Sequence, residues 1–388
     1  MNLTTIAVRN VARNKLRLTL TAVAVAVAIL AFIMLRTLIW SWTAAMDQAA
    51  ADRIGSRHKV SMIMPLPKRY AEEIKQIPGV TQVAYASWFG AKYPKKEDEF
   101  FATIAVEPDD ILKVYDEIKV PADQVEAWKQ NRRGALVGDA LAKKLGWKVG
   151  DRVMLRGTIY PGDWEFEVSG IYTASRASVD RSTFWFHYDY MNDSPTVRQK
   201  DQIGWIMARV NDPGRSAEIA KSIDKHFEER DQQTLSMNER AFQASFLGMM
   251  SAILKAIDLV SVVILAIMAL ILGNTIAMGV RERTGEYGVL RAIGFLPKHI
   301  VTFILVESVV TGLIGGGVGV LLSYPLVERG LGRWLEENMG AFFPFFRIDP
   351  VITGSALALS IALGLLAAII PARTAARLKV IDSLRRVG

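Results

Sequence analysis

The sequence predicts an integral membrane protein with four transmembrane α-helices and a large α/β extracytoplasmic domain inserted between helices 1 and 2. Hydrophobic residues make up 51% of the 388 residues, yet charged residues still reach 22%, so the apolar residues must be concentrated in blocks. Four blocks reach the roughly 20 apolar residues that a membrane-spanning helix needs. Lysine and arginine are also concentrated in short segments that flank these blocks.

These blocks and their flanks divide the chain into consecutive segments. They are a cytoplasmic amphipathic N-terminal helix (1–17), transmembrane helix 1 continuing into a stalk (18–42), the extracytoplasmic α/β domain (43–238), a stalk plus transmembrane helix 2 (239–280), a cytoplasmic loop with a short helix (281–299), transmembrane helix 3 (300–324), a short extracytoplasmic loop (325–350), transmembrane helix 4 (351–371) and a cytoplasmic tail (372–388).

The basic residues predict which side of the membrane each segment faces. The N-terminal tail, the segment 281–299 and the C-terminal tail are rich in lysine and arginine, whereas acidic residues outnumber arginines in 325–350. Cytoplasmic flanks are enriched in lysine and arginine. Both termini and the segment 281–299 are therefore expected in the cytoplasm, and residues 43–238 outside it. The first apolar block extends to Trp40 and Trp42, which is too long for a cleavable signal peptide and indicates a signal anchor.

The segment between the first two spans alternates strand and helix patterns. Helices are expected over Ala122–Gln130 and Asp139–Leu145, with Gly146 ending the second one, and a strand is expected over Lys59–Met64. Four aromatic residues recur with a period of two, namely Phe184, Phe186, Tyr188 and Tyr190. This period is typical of the inward face of a strand, and an aromatic patch that binds a partner or substrate is the alternative.

The second span is longer than a bilayer requires. A helical pattern begins near Asn238 and continues to Val280, which corresponds to about 60 Å at 1.5 Å per residue. The extra length predicts a stalk that carries the extracytoplasmic domain. Lys255 and Asp258 lie three residues apart on this helix and are expected to pair where it leaves the lipid.

Several classes of chemistry are not indicated. The formal net charge of +8 could suggest nucleic-acid binding, but much of the excess lies in the cytoplasmic flanks, so membrane lipid is the expected partner and nucleic acid is not. The sequence has no Gly-x-x-x-x-Gly-Lys-Ser/Thr loop for phosphate, and its four histidines are dispersed. We therefore expect no catalytic, cofactor-binding or metal-binding residues in this chain.

Two polar residues stand out inside the spans, Glu307 in the third and Asn274 in the second. An acidic residue in a membrane span is costly and usually faces a bundle interior or a partner. Proton coupling or substrate binding is one interpretation of Glu307. The favoured interpretation is a hydrogen bond to a neighbouring helix or to an arginine or lysine of a flank.

The third span also carries a cluster of glycines, of which Gly312, Gly315, Gly316 and Gly319 have small-xxx-small spacing. Glycines at this spacing let helix backbones approach closely. A tightly packed helix interface is therefore expected, either within the chain or across a dimer axis. Simple flexibility near the outer leaflet is the alternative.

The segment between the second and third spans is charged and punctuated by glycines. Its candidate functional residues are Arg281, Arg283, Gly285, Glu286, Gly288, Arg291, Ala292 and Gly294. Together with the acidic Glu307, the glycine cluster and the final Pro-Ala-x-x-Ala-Ala at 371–376, the segment resembles the membrane core of FtsX-like permeases. Tyr287 and Phe295 depart from that pattern, which usually has Ile and Ala. The stretch Leu136–Leu155 resembles the extracytoplasmic domain of MacB-like permeases.

This resemblance implies the permease subunit of an ABC transporter of the MacB-like (type VII) class, which lies in the inner membrane. It implies that the segment 281–299 couples to an ATPase, that ATP and magnesium are bound by this separate partner subunit, and that no cofactor is bound by this chain. A second permease copy, a membrane-fusion adaptor and an outer-membrane channel are further implied partners.

The resemblance further implies mechanotransmission, in which ATP hydrolysis moves the extracytoplasmic domain and drives efflux. Lipoprotein release from the inner membrane is an alternative within the family. Regulation of a cell-wall hydrolase without transport is another, and a sensor or scaffold belongs to a different class. The sequence does not identify the substrate.

Overall fold

The structure is a computed structural model that describes residues 14–47, 49–176, 179–249, 251–338, 343 and 345–377. The chain divides into two compact units. The helical unit comprises Met1–Trp40, Ala252–Gly332 and Arg347–Gly388, and the sheet unit comprises Ser41–Ser251 and Arg333–Phe346.

The helices in chain order are α1 (Lys15–Asp47), α2 (Arg69–Lys75), α3 (Ile111–Val114), α4 (Ala122–Gln130), α5 (Asp139–Leu145), α6 (Tyr188–Asn192), α7 (Ser216–His226), α8 (Glu239–Met249), α9 (Ser251–Glu282), α10 (Thr284–Ala292), α11 (Pro297–Ser323), α12 (Arg333–Asn338) and α13 (Pro350–Ala376). A 3₁₀ turn covers Pro213–Arg215, and a π-helical stretch covers Tyr324–Gly332.

The strands in chain order are β1 (Arg53–His58), β2 (Leu66–Pro67), β3 (Val80–Trp88), β4 (Ala91–Lys92), β5 (Thr103–Val106), β6 (Ile118–Lys119), β7 (Gly134–Gly138), β8 (Arg152–Gly157), β9 (Gly162–Ala174), β10 (Phe184–His187), β11 (Gln202–Ile203), β12 (Trp205–Val210) and β13 (Thr234–Asn238).

The helical unit confirms the predicted membrane character. Among the described residues, four helices are long and apolar enough to cross a membrane: Lys15–Thr43, Ser251–Glu282, Pro297–Glu336 and Pro350–Ala376. The first begins three residues earlier than predicted, and the N-terminal amphipathic helix expected over 1–17 lies largely outside the described residues. Pro350 is the first residue of the last helix. Asp349 caps its N-terminus, because the Asp349 side chain accepts a hydrogen bond from the Val351 amide at 2.6 Å.

The ends of the third and fourth spans differ from the prediction. The third helix does not give way to a loop at residue 325 but continues through the π-helical stretch into α12. Pro325 has no N–H to donate within the helix, which favours a widened turn, and the buried Val327 gives the continuing helix an apolar face. The fourth helix passes through the buried Pro371 and ends at Ala376, because the segment from Pro371 to Ala375 still packs inside the unit.

The sheet unit is built on one large mixed sheet. Within the described residues it has eleven strands, in the order β13-β1-β12-β3-β5-β10-β7-β9-β8-β4, with β6 added beside β9. The pairs β5–β10 and β7–β9 are parallel, and the other pairs along this path are antiparallel. Strands β2 and β11 form a separate two-stranded ribbon. This α/β architecture agrees with the predicted fold class.

Both faces of the large sheet carry apolar clusters. One cluster contains interlocked aromatic rings, among them Phe166 and Phe186 at 4.8 Å and Phe89 and Phe186 at 5.0 Å between centroids, both edge to face. The other cluster includes Trp128 and Trp185. Edge-to-face rings gain a quadrupole attraction in addition to apolar burial.

The local predictions had mixed outcomes. Helices α4 and α5 have the predicted bounds, and Gly146 ends α5 with a left-handed φ of 74°. The strand expected over Lys59–Met64 is wrong, because the chain pairs over Arg53–His58 instead and the next residues leave Val60 and Ile63 exposed. The strand predicted from the four alternating aromatic residues is only partly correct.

Of the four alternating aromatic residues, Phe184 and Phe186 lie on strand β10, but Tyr188 and Tyr190 lie on helix α6. Tyr188 is nevertheless buried, and its hydroxyl donates to the Gln202 carbonyl at 2.8 Å. The period of two therefore reflected burial rather than one continuous strand.

The predicted stalk is described on both sides of residue 250, which itself lies outside the described residues. Helix α8 ends at Met249 and helix α9 begins at Ser251. The single helix from Asn238 to Val280 thus stays a prediction.

Candidate functional site

The charged segment after the second span forms helix α10 of the helical unit. The helix contains Gly285, Glu286, Gly288, Arg291 and Ala292, whereas Arg281 lies in the last turn of α9, and Arg283 and Gly294 flank α10. Its start is secured by the buried Thr284, whose hydroxyl donates to the Val280 carbonyl at 3.1 Å.

Gly294 determines where α10 ends. Its φ is 101°, its amide donates to the Arg291 carbonyl at 3.2 Å, and the Phe295 amide donates to the Leu290 carbonyl at 3.0 Å. These two bonds form a Schellman motif, which requires a left-handed residue and therefore favours glycine. The glycine at this position is thus explained by the backbone rather than by contact with a partner.

An ion pair connects the start of α10 to the third span. Arg283 Nη1 lies 3.2 Å from Glu307 Oε2, and the Arg283 side chain is only 11% exposed. Glu307 therefore faces a flanking arginine. The buried Tyr287 lies near this pair, and burial raises the pKa of its hydroxyl to about 12, with the Glu307 carboxylate acting in the same direction.

Further polar contacts surround this pair, and they were not identified from the sequence. Arg17 of α1 pairs with Glu282 at the end of α9, and the Thr21 hydroxyl donates to the Thr275 hydroxyl at 3.2 Å. A cavity of about 40 Å³ is lined by Arg17, Thr21, Thr275, Arg283 and Glu307 together with apolar side chains. Asn274, the predicted polar residue of this helix, is instead exposed, since the helix directs its neighbour Thr275 toward α1.

Helix α10 also contacts the end of the fourth span. Arg291 Nη1 donates to the Ala376 carbonyl at 3.4 Å, near the C-terminus of α13. A cation at a helix C-terminus is electrostatically favourable. The segment that the sequence singled out is therefore joined to two of the long apolar helices, α11 and α13.

The glycines of the third span pack within the chain. A Cβ atom on Gly312 would lie 2.8 Å from the Ser360 carbonyl oxygen, and one on Gly316 would lie 2.4 Å from Ser360 Oγ, so this row faces α13. A Cβ atom on Gly315 would lie 2.6 Å from Val25 Cβ of α1.

Gly319 continues the second row, since a Cβ atom there would lie 2.7 Å from the Ala26 carbonyl oxygen. Both glycine rows are thus covered by α1 and α13 of the same chain. The close helix interface that was expected at these glycines is therefore found within the chain.

The ion pair predicted within the second span is wrong. Asp258 pairs with Arg36 of α1, with 3.0 Å between Oδ1 and Nη1, while Lys255 is exposed. The spacing along α9 suggested Lys255 as the partner of Asp258. In the structure Asp258 faces α1 and pairs with Arg36 of that helix instead.

The sheet unit contains a buried charge cluster that the sequence analysis missed. Arg53 of β1 contacts both Glu117 and Glu239, at 2.6 Å and 2.9 Å, and all three side chains are less than 10% exposed. Glu239 also accepts a hydrogen bond from the Ala50 amide at 2.7 Å. Alternation patterns carry no signal for such a cluster, because its members are 64 and 186 residues from Arg53 in sequence.

The electrostatics of this cluster follow from its burial. Burial alone would lower the pKa of Arg53, but the hydrogen bond to Glu117 and the charge of Glu239 outweigh it, so the pKa is raised. Burial raises the pKa of Glu239, although the charge of Arg53 opposes the shift. Glu239 begins α8 and Ala50 precedes β1. The cluster therefore connects the segment that leads into the first strand of the sheet unit with the segment that follows its last strand.

Known families match most of the chain. Residues 259–380 match the FtsX-like permease C-terminal family, and residues 18–226 match the MacB-like periplasmic core domain family. An uncharacterized ABC transporter permease of Methanocaldococcus jannaschii is 26% identical over 337 residues, covering 82% of this chain and 79% of the relative.

Two relatives are macrolide export ATP-binding/permease proteins MacB. The protein from Hahella chejuensis is 33% identical over 146 residues, which cover 35% of this chain and 21% of the relative. The protein from Burkholderia lata is 30% identical over 185 residues, covering 47% and 26%. The chain thus matches about a quarter or less of the length of these MacB proteins.

Solved structures match the sheet unit at low similarity. The extracellular domain of the transporter YknZ from Gram-positive bacteria is 12% identical, covers 48% of this chain and 100% of that domain, and has a TM-score of 0.36. The periplasmic region of MacB from Actinobacillus actinomycetemcomitans is 12% identical, covers 50% and 92%, and has a TM-score of 0.38.

Proposed function

Since the chain belongs to the FtsX-like ABC transporter permeases with a MacB-like periplasmic core domain, we propose that it transmits ATP-driven movement through α10 to its long helices. In this proposal a separate ATPase subunit binds ATP and magnesium in the cytoplasm. The movement passes through the long helices to the sheet unit, which lies on the extracytoplasmic side of the membrane and changes its position there. Transport is driven by this mechanical change rather than by a polar tunnel through the spans.

The surface of α10 is the observation that carries the proposal. Tyr287 and Gly288 are buried against the helical unit, whereas Val289 is 50% exposed and Ile293, directly after the last residue of α10, is 68% exposed. Neither exposed residue belongs to one of the four helices that are long and apolar enough to cross a membrane. Exposed apolar residues grouped on one short helix are typical of a protein contact.

The contacts of α10 with the rest of the helical unit would carry a displacement of α10 to the long helices. The pair Arg283–Glu307 joins its start to α11, and the bond from Arg291 to Ala376 joins its other end to α13. The rows of glycines pack α11 directly against α1 and α13. Close-packed interiors transmit displacement because they have few voids to absorb it.

We further propose the cellular setting. The chain lies in the inner membrane with both termini in the cytoplasm, and two permease copies act with the ATPase. The relatives named as macrolide export proteins favour efflux, with a membrane-fusion adaptor and an outer-membrane channel as the remaining partners. The charge distribution of the flanks supports the orientation.

The test is to place a charge on the exposed face of α10. Val289→Glu and Ile293→Glu are expected to weaken copurification with the co-expressed cognate ATPase by at least about tenfold, because a buried unpaired charge disrupts an apolar contact. Val149→Glu, at a 48% exposed apolar residue of the sheet unit, is the matched control and should leave the complex intact. Unchanged association and hydrolysis in both α10 variants would refute the assignment of α10 as the coupling helix.

A further inference from the structure

The sheet unit contains a cleft of about 1540 Å³ that the proposed coupling does not use. Its floor is a row of apolar side chains across three neighbouring strands. Trp88 of β3 is paired in register with Ile104 of β5, and Ile104 is paired with Trp185 of β10. Side chains in register on adjacent strands face the same side of a sheet, so these three form one continuous surface.

Aromatic residues extend this surface at both sides. Phe100 stacks on Trp88 with 6.5 Å between ring centroids, and Phe246 of α8 packs edge to face against Trp205 of β12 at 6.1 Å. Phe100 is 50% exposed, Phe246 39% and Trp88 38%. Large apolar side chains that stay exposed while lining a concave surface are typical of a ligand site.

The polar atoms of the cleft fall into two groups. The acidic side chains already have partners within the protein, since Glu117 and Glu239 contact Arg53, and Asp180 accepts hydrogen bonds from the Ser182 amide and the Thr183 hydroxyl. The exposed charged residues among those described that line the cleft are two arginines, Arg176 and Arg198.

Two side-chain atoms of residues that line the cleft are buried without a hydrogen-bond partner among the described residues. They are Trp42 Nε1, a donor, and Gln202 Oε1, an acceptor. A buried polar group without a partner costs free energy unless a ligand or solvent satisfies it. The cleft therefore combines a broad apolar floor, an exposed arginine and buried polar atoms without a partner.

We propose that this cleft binds an amphipathic organic anion. The apolar body of the ligand lies against the row of Trp88, Ile104 and Trp185, and its carboxylate or comparable anionic group lies at the exposed Arg198. The inference concerns binding to the sheet unit and does not rest on the coupling role of α10. A failure of either one leaves the other intact.

The test uses the full-length chain in lipid nanodiscs. The chain has no cysteine, so Thr196→Cys, at an exposed residue lining the cleft, gives a single attachment point for a bimane fluorophore, which tryptophan quenches. Met154→Cys, at a 47% exposed residue outside the cleft lining, is the matched control label. Decanoate, decanol and decyltrimethylammonium serve as probes with the same chain and an anionic, neutral or cationic head.

Decanoate is expected to change the fluorescence of the cleft label in a saturable manner and at lower concentration than the other two probes. The control label should show no saturable change. Equal or tighter binding of decanol or decyltrimethylammonium would overturn the recognition of an anion. The absence of a saturable change with all three probes would overturn the site itself.

Two variants separate the apolar floor from the exposed arginine. Arg198→Gln is expected to weaken decanoate binding about two- to fivefold, as for an exposed ion pair, and to leave decanol binding unchanged. Trp88→Ala is expected to weaken both about three- to tenfold, because it removes a large contact surface. Equal weakening of both probes by Arg198→Gln, or no weakening by Trp88→Ala, would contradict the arrangement.

Discussion

The two units of this protein pack by opposite means. In the helical unit the closest contacts are made by glycine and small residues, with Gly312 and Gly316 against Ser360. In the sheet unit the core is built from large aromatic rings such as Phe166 and Phe186. Lipid is as apolar as leucine, so helices in a membrane gain most from close backbone approach, whereas a domain in water gains from burying apolar surface.

The charges show a parallel difference. Arg53 in the sheet unit is almost fully buried between two carboxylates, whereas Glu307 in the pair with Arg283 remains 28% exposed. Removal of one partner from a fully buried cluster leaves an uncompensated charge in a medium of low dielectric constant. The sheet unit should therefore be the more sensitive of the two to loss of a single arginine.

The largest effect is expected from Arg53→Met. Loss of this guanidinium leaves Glu117 and Glu239 buried together and is expected to lower the free energy of unfolding of the sheet unit by about 3–5 kcal/mol. Tryptophan fluorescence during thermal unfolding of the full-length chain measures it. Arg283→Met is the matched variant in the helical unit and should cost less. An equal or greater loss in that variant would contradict the contrast between the units.

The next effect concerns the glycines of the third span. Gly312→Leu forces a side chain against the backbone of α13 and is expected to destabilise the helical unit by about 1–3 kcal/mol. Gly317→Leu is the control, because a Cβ atom at Gly317 meets nothing within 4 Å. Thermal stability in detergent compares the two variants. Similar losses would mean that the close approach of α13 does not explain the glycine at position 312, because leucine has a higher helix propensity than glycine.

A smaller effect should be common to both units. Gly146 and Gly294 each follow a helix with a positive φ, and a Cβ atom at either meets nothing within 4 Å. Replacement of either by alanine is therefore expected to cost about 1–2 kcal/mol through backbone strain alone. Equilibrium unfolding of each variant gives the values. A cost confined to one unit would show that the surroundings, rather than the backbone, determine it.

The smallest effect is a pH dependence of the sheet unit. Burial lowers the pKa of His187 below its ordinary 6.5, and its Nε2 lies 2.8 Å from the Trp128 carbonyl. The unfolded chain then binds a proton that the folded chain does not, so stability is lost as the pH falls below about 6.5. His187→Gln should flatten the decline in stability between pH 7 and pH 5. If the decline in stability between pH 7 and pH 5 is unchanged in this variant, His187 does not cause it.

Much of the fold was readable because its signals are local. Four apolar blocks predicted the four long helices, and the glycine at 146 predicted the end of α5. Predictions failed where distant partners decide the structure. Lys59–Met64 has the composition of a strand, but strands β12 and β13 pair with the residues just before it.

The candidate site shows the same division. The sequence identified Arg283, Glu307 and the glycines, since charges in a span and small-residue spacing are unusual locally. It did not identify Arg17 or Glu282, which belong to different helices and pair only when α1 and α9 pack together. It also paired Asp258 with Lys255, because spacing along one helix carries no information about Arg36 on another.

The sequence by itself determined that the chain has four long apolar helices and an inserted α/β domain, because hydrophobic length and turn-forming glycines act through the chain's immediate neighbours. The tertiary structure decided which glycines face which helix, which carboxylates share Arg53, and which aromatic residues line a cleft instead of a core. These features depend on residues far apart in sequence, such as Gly312 and Ser360 or Arg53 and Glu239, meeting at distances of a few ångströms. No local pattern specifies such meetings, since they follow from the packing of whole elements.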